Sequence, residues 1–355
     1  MYGRVLGVAV VGVLGHVLTV EAHIGRGLPS LTLTGLPGAS VQDSRERIRP
    51  AVESSGLEWP LRRVVVNLSP GNLRKDGPGL DLPIAMGVLA ASKQVPDERL
   101  ARYAFAGELS LKGTLVRTPG ILSVAMAAAR HRLEGVIVPV ANESEAGLVD
   151  GLDVVGATSL EDVVAFLRGR PRAAALPADG AAPSPVQRTA DRTIDLADVR
   201  GQARARRALE VAAAGGHNIL LVGSPGAGKT MLARRLSTIL PSLARSEALE
   251  VTQLHSVAGL LPPAGLISER PFRSPHQSVS MAGLLGGGSA LLRPGEVSLA
   301  HHGVLFLDEL TEFRRDSLEG LRQAIEDGRV VITRVSGSVE YPARFTLVAA
   351  ANPCP

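Results

Sequence analysis

The chain has 355 residues, 45% apolar and 20% charged, a soluble globular balance that excludes a disordered chain and suggests about two domains. Aromatic residues make up only 3%, which excludes broad stacking surfaces for single-stranded nucleic acid; the net charge of +4 permits a nucleic-acid partner without indicating one. The single cysteine, Cys354, excludes an internal disulfide or a four-cysteine metal site and fits a reducing compartment.

From Val5 to Val20 the chain is almost entirely apolar behind Arg4. A signal peptide is disfavoured: the run is rich in Val and Gly, His16 interrupts it, and Glu21 and His23 stand where small cleavage-site residues belong. The run is also short for a membrane span. Two buried strands at 4–11 and 17–23 are expected from its β-branched content. A third strand follows at 30–34, then the turn residues Leu36, Pro37 and Gly38. A helix over 40–55 is expected to be kinked or split at Pro50 and stopped at Gly56. Next come a strand at 63–68, helices at 82–92 and 118–132, a buried strand at 135–139 and an amphipathic helix at 160–167. Residues 168–192 carry Pro171, Pro177, Pro183 and Pro185 among many alanines, with no hydrophobic period. They read as a linker between a domain at 1–167 and another at 193–355.

The second domain opens as a parallel α/β unit. A short apolar strand at 218–222 leads into Gly223, Ser224, Pro225, Gly226, Ala227, Gly228, Lys229 and Thr230, which fits G-x-x-x-x-G-K-[ST]. Glycines let successive backbone N–H groups turn inward around phosphate oxygens. Lys229 supplies positive charge, the Thr230 hydroxyl can ligate Mg²⁺, and the following helix offers its positive N-terminus. Leu232, Leu236, Ile239 and Leu240 give that helix one apolar face. A second apolar strand, from Gly303, ends in Asp308 and Glu309, a carboxylate to hold Mg²⁺ and a base to polarise water. A third apolar strand, 345–351, ends in Asn352, placed to sense the γ-phosphate, although Asn before Pro is also a common turn. His301 and His302 are adjacent; on a strand they would face opposite ways, which disfavours a shared metal.

Together these motifs resemble the AAA+ ATPases, and within them the magnesium-chelatase-like ComM/YifB group. The carrying stretches are Val199-Arg-Gly-Gln202, Ala212-Ala-Ala-Gly-Gly-His-Asn218, the phosphate loop, Arg270-Pro-Phe-Arg-Ser-Pro-His276, Arg293-Pro-Gly-Glu-Val-Ser-Leu-Ala300, Gly303 to Leu310 and Ala350-Ala-Asn-Pro-Cys354. The resemblance implies ATP and Mg²⁺ as cofactors. It implies that Val199 to Gln202 lie against the adenine, with the phosphate loop as Walker A, Asp308 and Glu309 as Walker B and Asn352 as sensor 1. It also implies an insert in the second helix, within 251–300, which without the family would read as a long mobile loop. Leu318, Leu321 and Ile325 form a helical face stopped by Gly328, and segments 330–335 and 338–341 flank Ser336-Gly337 as a hairpin. In the family such a hairpin precedes sensor 1 and projects toward a ring's pore. Arg329, Arg334 and Arg344 would then reach a phosphate backbone, though each taken singly reads as a solvated arginine.

Residues 1–167 resemble the Lon-protease-like domain (ribosomal protein S5 domain 2-like, α+β) that precedes the ATPase in this group. Arg74-Lys-Asp-Gly-Pro-Gly79, Gly107-Glu-Leu-Ser-Leu-Lys-Gly113 and Val136-Ile-Val-Pro139 carry the likeness. Gly79 stands at the place of the protease serine and Leu122 at that of its lysine, so no covalent chemistry is expected. A rearranged dyad among Ser69, Ser92, Lys75 and Lys112 is disfavoured. The domain is expected to serve recognition or assembly.

The resemblance implies an arginine finger, a sensor-2 arginine and a helical lid after Asn352, so the chain is expected to be an N-terminal part of a longer protein and weak in turnover as it stands. The function so implied is an ATP-driven cytoplasmic ring motor, a homo-hexamer without membrane association. It would act on branched or single-stranded DNA, as a branch-migration helicase in recombination of transforming DNA. The alternatives are a chelatase-type motor remodelling a protein, an ATP-gated binding module without turnover and, remotely, a Lon-type protease.

Overall fold

The computed structural model describes residues 1–170, 194–262, 265–288, 292–334 and 337–353. The expected linker at 168–192 lies almost wholly outside them, as do Val335 and Ser336 of the expected hairpin turn. The chain forms two compact units: Met1–Pro183 with Ser256–Gly265, and Ser184–His255 with Leu266–Pro355.

The first unit is built on a seven-stranded mixed sheet in the order Ser30–Thr34, Arg63–Ser69, Leu14–Ile24, Tyr2–Val11, Tyr103–Phe105, Gly135–Pro139, Asp153–Ala157. The apolar run near the N-terminus becomes the antiparallel pair Tyr2–Val11 and Leu14–Ile24. It is nearly unbroken in sequence because these strands are covered on both faces. Val5 and Ala9 pack into one core with the wholly buried helix Asp81–Ala91, and Val8 into another with helix Ile121–Arg130. Glycines permit this closeness: a Cβ at Gly3 would sit 2.4 Å from Ala91 N, and one at Gly15 would sit 2.3 Å from Ser123 O.

Helix Ala39–Ser54 continues through Pro50, so of the expected kink or split the split does not occur. Proline forfeits one hydrogen bond, but Val41, Ile48, Ala51 and Val52 are fully buried along the helix face, and that packing outweighs the loss. Helix Ile121–Arg130 starts later than expected, because Pro119 and the left-handed Gly120 (φ +81°) delay it.

The second unit holds a four-stranded parallel sheet in the order Ile219–Val222, Thr346–Ala351, Val304–Leu307, Phe272–Arg273. Val304–Leu307 is buried throughout, as a central parallel strand should be. Its core joins Leu209, Leu221, Leu232, Leu236, Phe306 and Val348. Ile239 and Leu240 pack against that core, although the helix after the phosphate loop ends at Leu236. The strand Ile219–Val222 is an edge, and Leu220 and Val222 are 55% and 61% exposed.

Residues 251–300 are not simply a loop. Helix Arg245–Ala258 continues into them, and the short helices Met281–Leu285 and Glu296–Leu299 flank a paired Gly286–Gly287 and Arg293–Pro294. After helix Arg315–Asp327, Arg329–Arg334 and Gly337–Pro342 form the expected antiparallel hairpin. Arg329 pairs with Glu340 at 3.3 Å across it, while Arg334 and Arg344 are exposed. Among the described residues, no helix is long and apolar enough to cross a membrane.

Candidate nucleotide site

Three neighbouring parallel strands deliver their C-terminal ends to one edge of the sheet, the place where α/β folds bind ligands. Strand Ile219–Val222 runs into the phosphate loop, Thr346–Ala351 into Asn352, and Val304–Leu307 into Asp308 and Glu309. Gly226 (φ +79°) and Gly228 (φ +84°) hold left-handed backbone that a side chain would strain. Gly228 is also the N-cap of helix Lys229–Leu236, and Ala227 N–H closes the loop by donating to Ser224 O at 3.2 Å. Ser224 and Pro225 are exposed at its rim.

Lys229 Nζ donates to Gly223 O (2.7 Å), Ser224 O (3.0 Å) and Asn352 Oδ1 (2.9 Å). Thr230 Oγ1 donates to Asp308 Oδ2 at 2.7 Å. Glu309 is exposed, and its N–H donates to Asp308 Oδ1 at 3.1 Å. Its φ of +53° is uncommon for a non-glycine residue and turns the chain sharply out of the sheet. Lys229 therefore meets Asn352, and Thr230 meets Asp308, at one end of the sheet, with Glu309 next to Asp308 in the chain.

The groups present suit a triphosphate with Mg²⁺: a three-donor ammonium beside a left-handed glycine loop, and a hydroxyl and carboxylate already in contact, the hard oxygen pair that Mg²⁺ takes.

One contact escaped the motif reading. Gln202, at φ +55°, caps helix Ala203–Gly215, and its Nε2 donates to Ala227 O of the phosphate loop at 3.1 Å. The Gly-Gln pair ahead of the helix was the available signal, but the contact depends on where that helix packs.

The expectation about His301 and His302 is corrected. They lie in the turn after helix Glu296–Leu299, not on a strand, and their rings sit 3.9 Å apart. Both Nε2 atoms meet Glu250 Oε2 at 3.0 Å, and His302 Nδ1 lies 3.5 Å from Glu247 Oε1. Ligand atoms of Glu250, His301 and His302 lie within 4.8 Å of one another, a spacing that could hold a metal ion. However, Arg344 N–H donates to His301 Nδ1 at 3.0 Å, which leaves the ring proton on Nε2, where it donates to Glu250. The cluster reads as hydrogen-bonded rather than metal-ligating.

Burial pushes the His301 imidazole down to about 4, and the Glu250 hydrogen bond only partly offsets it. Burial pushes the Glu250 carboxyl up, but hydrogen bonds from His301 and His302 together hold it below the usual range. Between pH 6.5 and about 4 the unfolded chain therefore takes up a proton at His301 that the folded chain does not. Stability is lost as pH falls through that window, by roughly 3 kcal/mol in all. Calorimetric unfolding from pH 7 to 4 should show a steeper loss for the native chain than for His301→Asn; equal slopes would contradict this.

In the first unit, Gly79 lies in the turn Pro78–Leu80, and a Cβ there would meet Thr118 Cγ2 at 3.3 Å. Leu122 is fully buried. Lys75 is buried too, its Nζ donating to Gly35 O at 2.6 Å and to Pro70 O, and burial pushes its ammonium down. Ser92 Oγ donates to Val88 O and Leu89 O. Lys112 is exposed. None of these contacts pairs Ser92 with Lys75 or Lys112.

A family model described as magnesium chelatase, subunit ChlI, matches residues 195–355, and one described as subunit ChlI of Mg-chelatase matches residues 20–142. The chain belongs to the magnesium-chelatase-like family of AAA+ P-loop ATPases, with an N-terminal α/β domain before the ATPase module. Within that family it falls in the YifB and ComM group. It is 48% identical to an uncharacterised protein of Mycobacterium tuberculosis, over 99% of this chain and 69% of that one. It is 46% identical to the uncharacterised protein YifB of Escherichia coli, over 98% and 67%. It is 43% identical to competence protein ComM of Haemophilus influenzae, over 98% and 68%. Lon protease of Geobacter metallireducens is 29% identical over 46% of this chain and 21% of its own length.

Proposed function

We propose that the chain binds ATP with Mg²⁺ at the converged loop and hydrolyses it to drive a homo-hexameric ring motor acting on DNA, as a branch-migration helicase in recombination of transforming DNA. The observation that carries the nucleotide part is the pair of contacts Lys229–Asn352 and Thr230–Asp308 across three adjacent strand ends. Gly223 to Thr230 cradle the phosphates, Thr230 and Asp308 hold Mg²⁺, Glu309 orients and deprotonates the attacking water, and Asn352 and Lys229 read the terminal phosphate. Bound Mg²⁺·ATP supplies the transferable phosphoryl group and the cation that neutralises its charge.

The DNA part is supported by likeness to a protein named for competence and by the hairpin with Arg329 and Arg334, followed by Arg344. The Lon-like domain, 1–167, serves recognition or assembly, and 168–192 connects it to the motor at 193–355. A cytoplasmic place suits this work.

The test is ATP turnover with and without forked and four-way DNA. Stimulation of about tenfold or more, weakening steeply with salt as phosphate contacts require, is expected. Turnover indifferent to DNA would favour a protein-remodelling motor of the chelatase type; nucleotide binding without turnover would favour an ATP-gated module.

A further inference from the structure

We infer that His301 is a positioning residue, whose ring Nδ1 locks the strand ending in Asn352 against the strand ending in Asp308 and Glu309. The inference rests on the ATPase reading of the site but is read first from backbone protection. The parallel ladder between these strands runs from Val304 opposite Thr346 to Leu307 opposite Ala349. It is extended at its root by Thr346 N–H to Gly303 O at 2.9 Å and His302 N–H to Arg344 O at 2.6 Å. There the backbone ladder stops, because His302 turns away at φ +56°. Arg344 N–H instead donates to the His301 ring. A side chain thus supplies the acceptor that the backbone no longer offers.

Three features make the ring rigid. It is 1% exposed. Its Nε2–H is held by Glu250 on helix Arg245–Ala258. The adjoining turn is pinned by Arg270, which donates to His302 O at 2.6 Å and to Glu247 Oε2 at 3.2 Å. Around the ring, the titratable and charged groups are therefore Glu250, Glu247, His302, Arg270 and Arg344.

The root of the hairpin enters the same knot. Ala343 N–H donates to Gly328 O at 2.9 Å, so both ends of Arg329–Pro342 close immediately before Arg344. Along the chain the hairpin leads directly through Arg344 into Thr346–Ala351, and hence to Asn352 and its contact to Lys229. His301 holds that joint.

Two substitutions separate the ring's two bonds. His301→Asn places an oxygen near the Nδ1 position and keeps the acceptor for Arg344, losing Glu250. His301→Gln reaches Glu250 but offers Arg344 nothing. Hydrogen–deuterium exchange of the full chain should show residues 343–352 exchanging about tenfold faster in His301→Gln and near the native rate in His301→Asn. Where ATP turnover is measured, kcat should fall about tenfold in His301→Gln with KM little changed, and His301→Asn should restore it. Equal exchange in the two variants, or protection lost only with His301→Asn, overturns the inference. A native chain without turnover would defeat the ATPase reading and leave the exchange comparison standing on its own.

Discussion

Glu309→Gln is expected to lower ATP turnover by about 10²- to 10³-fold while leaving nucleotide affinity within about threefold. The substitution keeps the side chain's shape and removes only its basicity. Glu309 lies two residues beyond the buried strand, exposed and turned outward at φ +53°, with its N–H tied to Asp308. That backbone bond survives the change, so Asp308 keeps its place beside Thr230. Turnover is measured on the full chain with saturating Mg²⁺·ATP, and affinity by titration calorimetry with ADP. A variant that turns over within about threefold of the native chain would remove Glu309 from the chemistry.

Lys229→Ala should act one step earlier. Its Nζ is the cation at the site, shared among two loop carbonyls and Asn352. A charge-assisted contact of about 1.5–3 kcal/mol corresponds to a loss of roughly 10- to 150-fold in ATP affinity. Turnover should fall further, because on the proposed reading the same charge would face the leaving phosphates in the transition state. The fold should hold, since the apolar core beneath the loop, Leu221, Leu232 and Leu236, does not involve Lys229. Unchanged affinity in a folded variant would mean that the loop is not a phosphate site. The two variants together distinguish binding from chemistry: Glu309→Gln retains what Lys229→Ala loses.

Much of this site was legible in the amino-acid sequence, because its signals are local. A glycine that must take positive φ, a lysine and a threonine at fixed offsets, and an apolar run ending in two acids each describe a few consecutive residues. The strand Ser30–Thr34 and the helix Leu160–Leu167 were legible to the residue for the same reason. Pro50 does not split its helix although its local cost is real, because helix Ala39–Ser54 is held by burial against residues far along the chain.

What only the tertiary structure decided is which distant residues meet. Strand Thr346–Ala351 inserts between Ile219–Val222 and Val304–Leu307, and that order alone brings Asn352 to Lys229, 123 positions away. Adjacent residues such as His301 and His302 would diverge on a strand; the turn they occupy makes them converge on Glu250, about fifty positions earlier. Gln202 reaches Ala227 only because its helix packs beside the loop. Backbone chemistry sets each residue's local conformation and so is written in short motifs. Side-chain convergence is set by strand order and helix packing, which minimise exposed apolar surface over the whole unit and leave no mark at any one position.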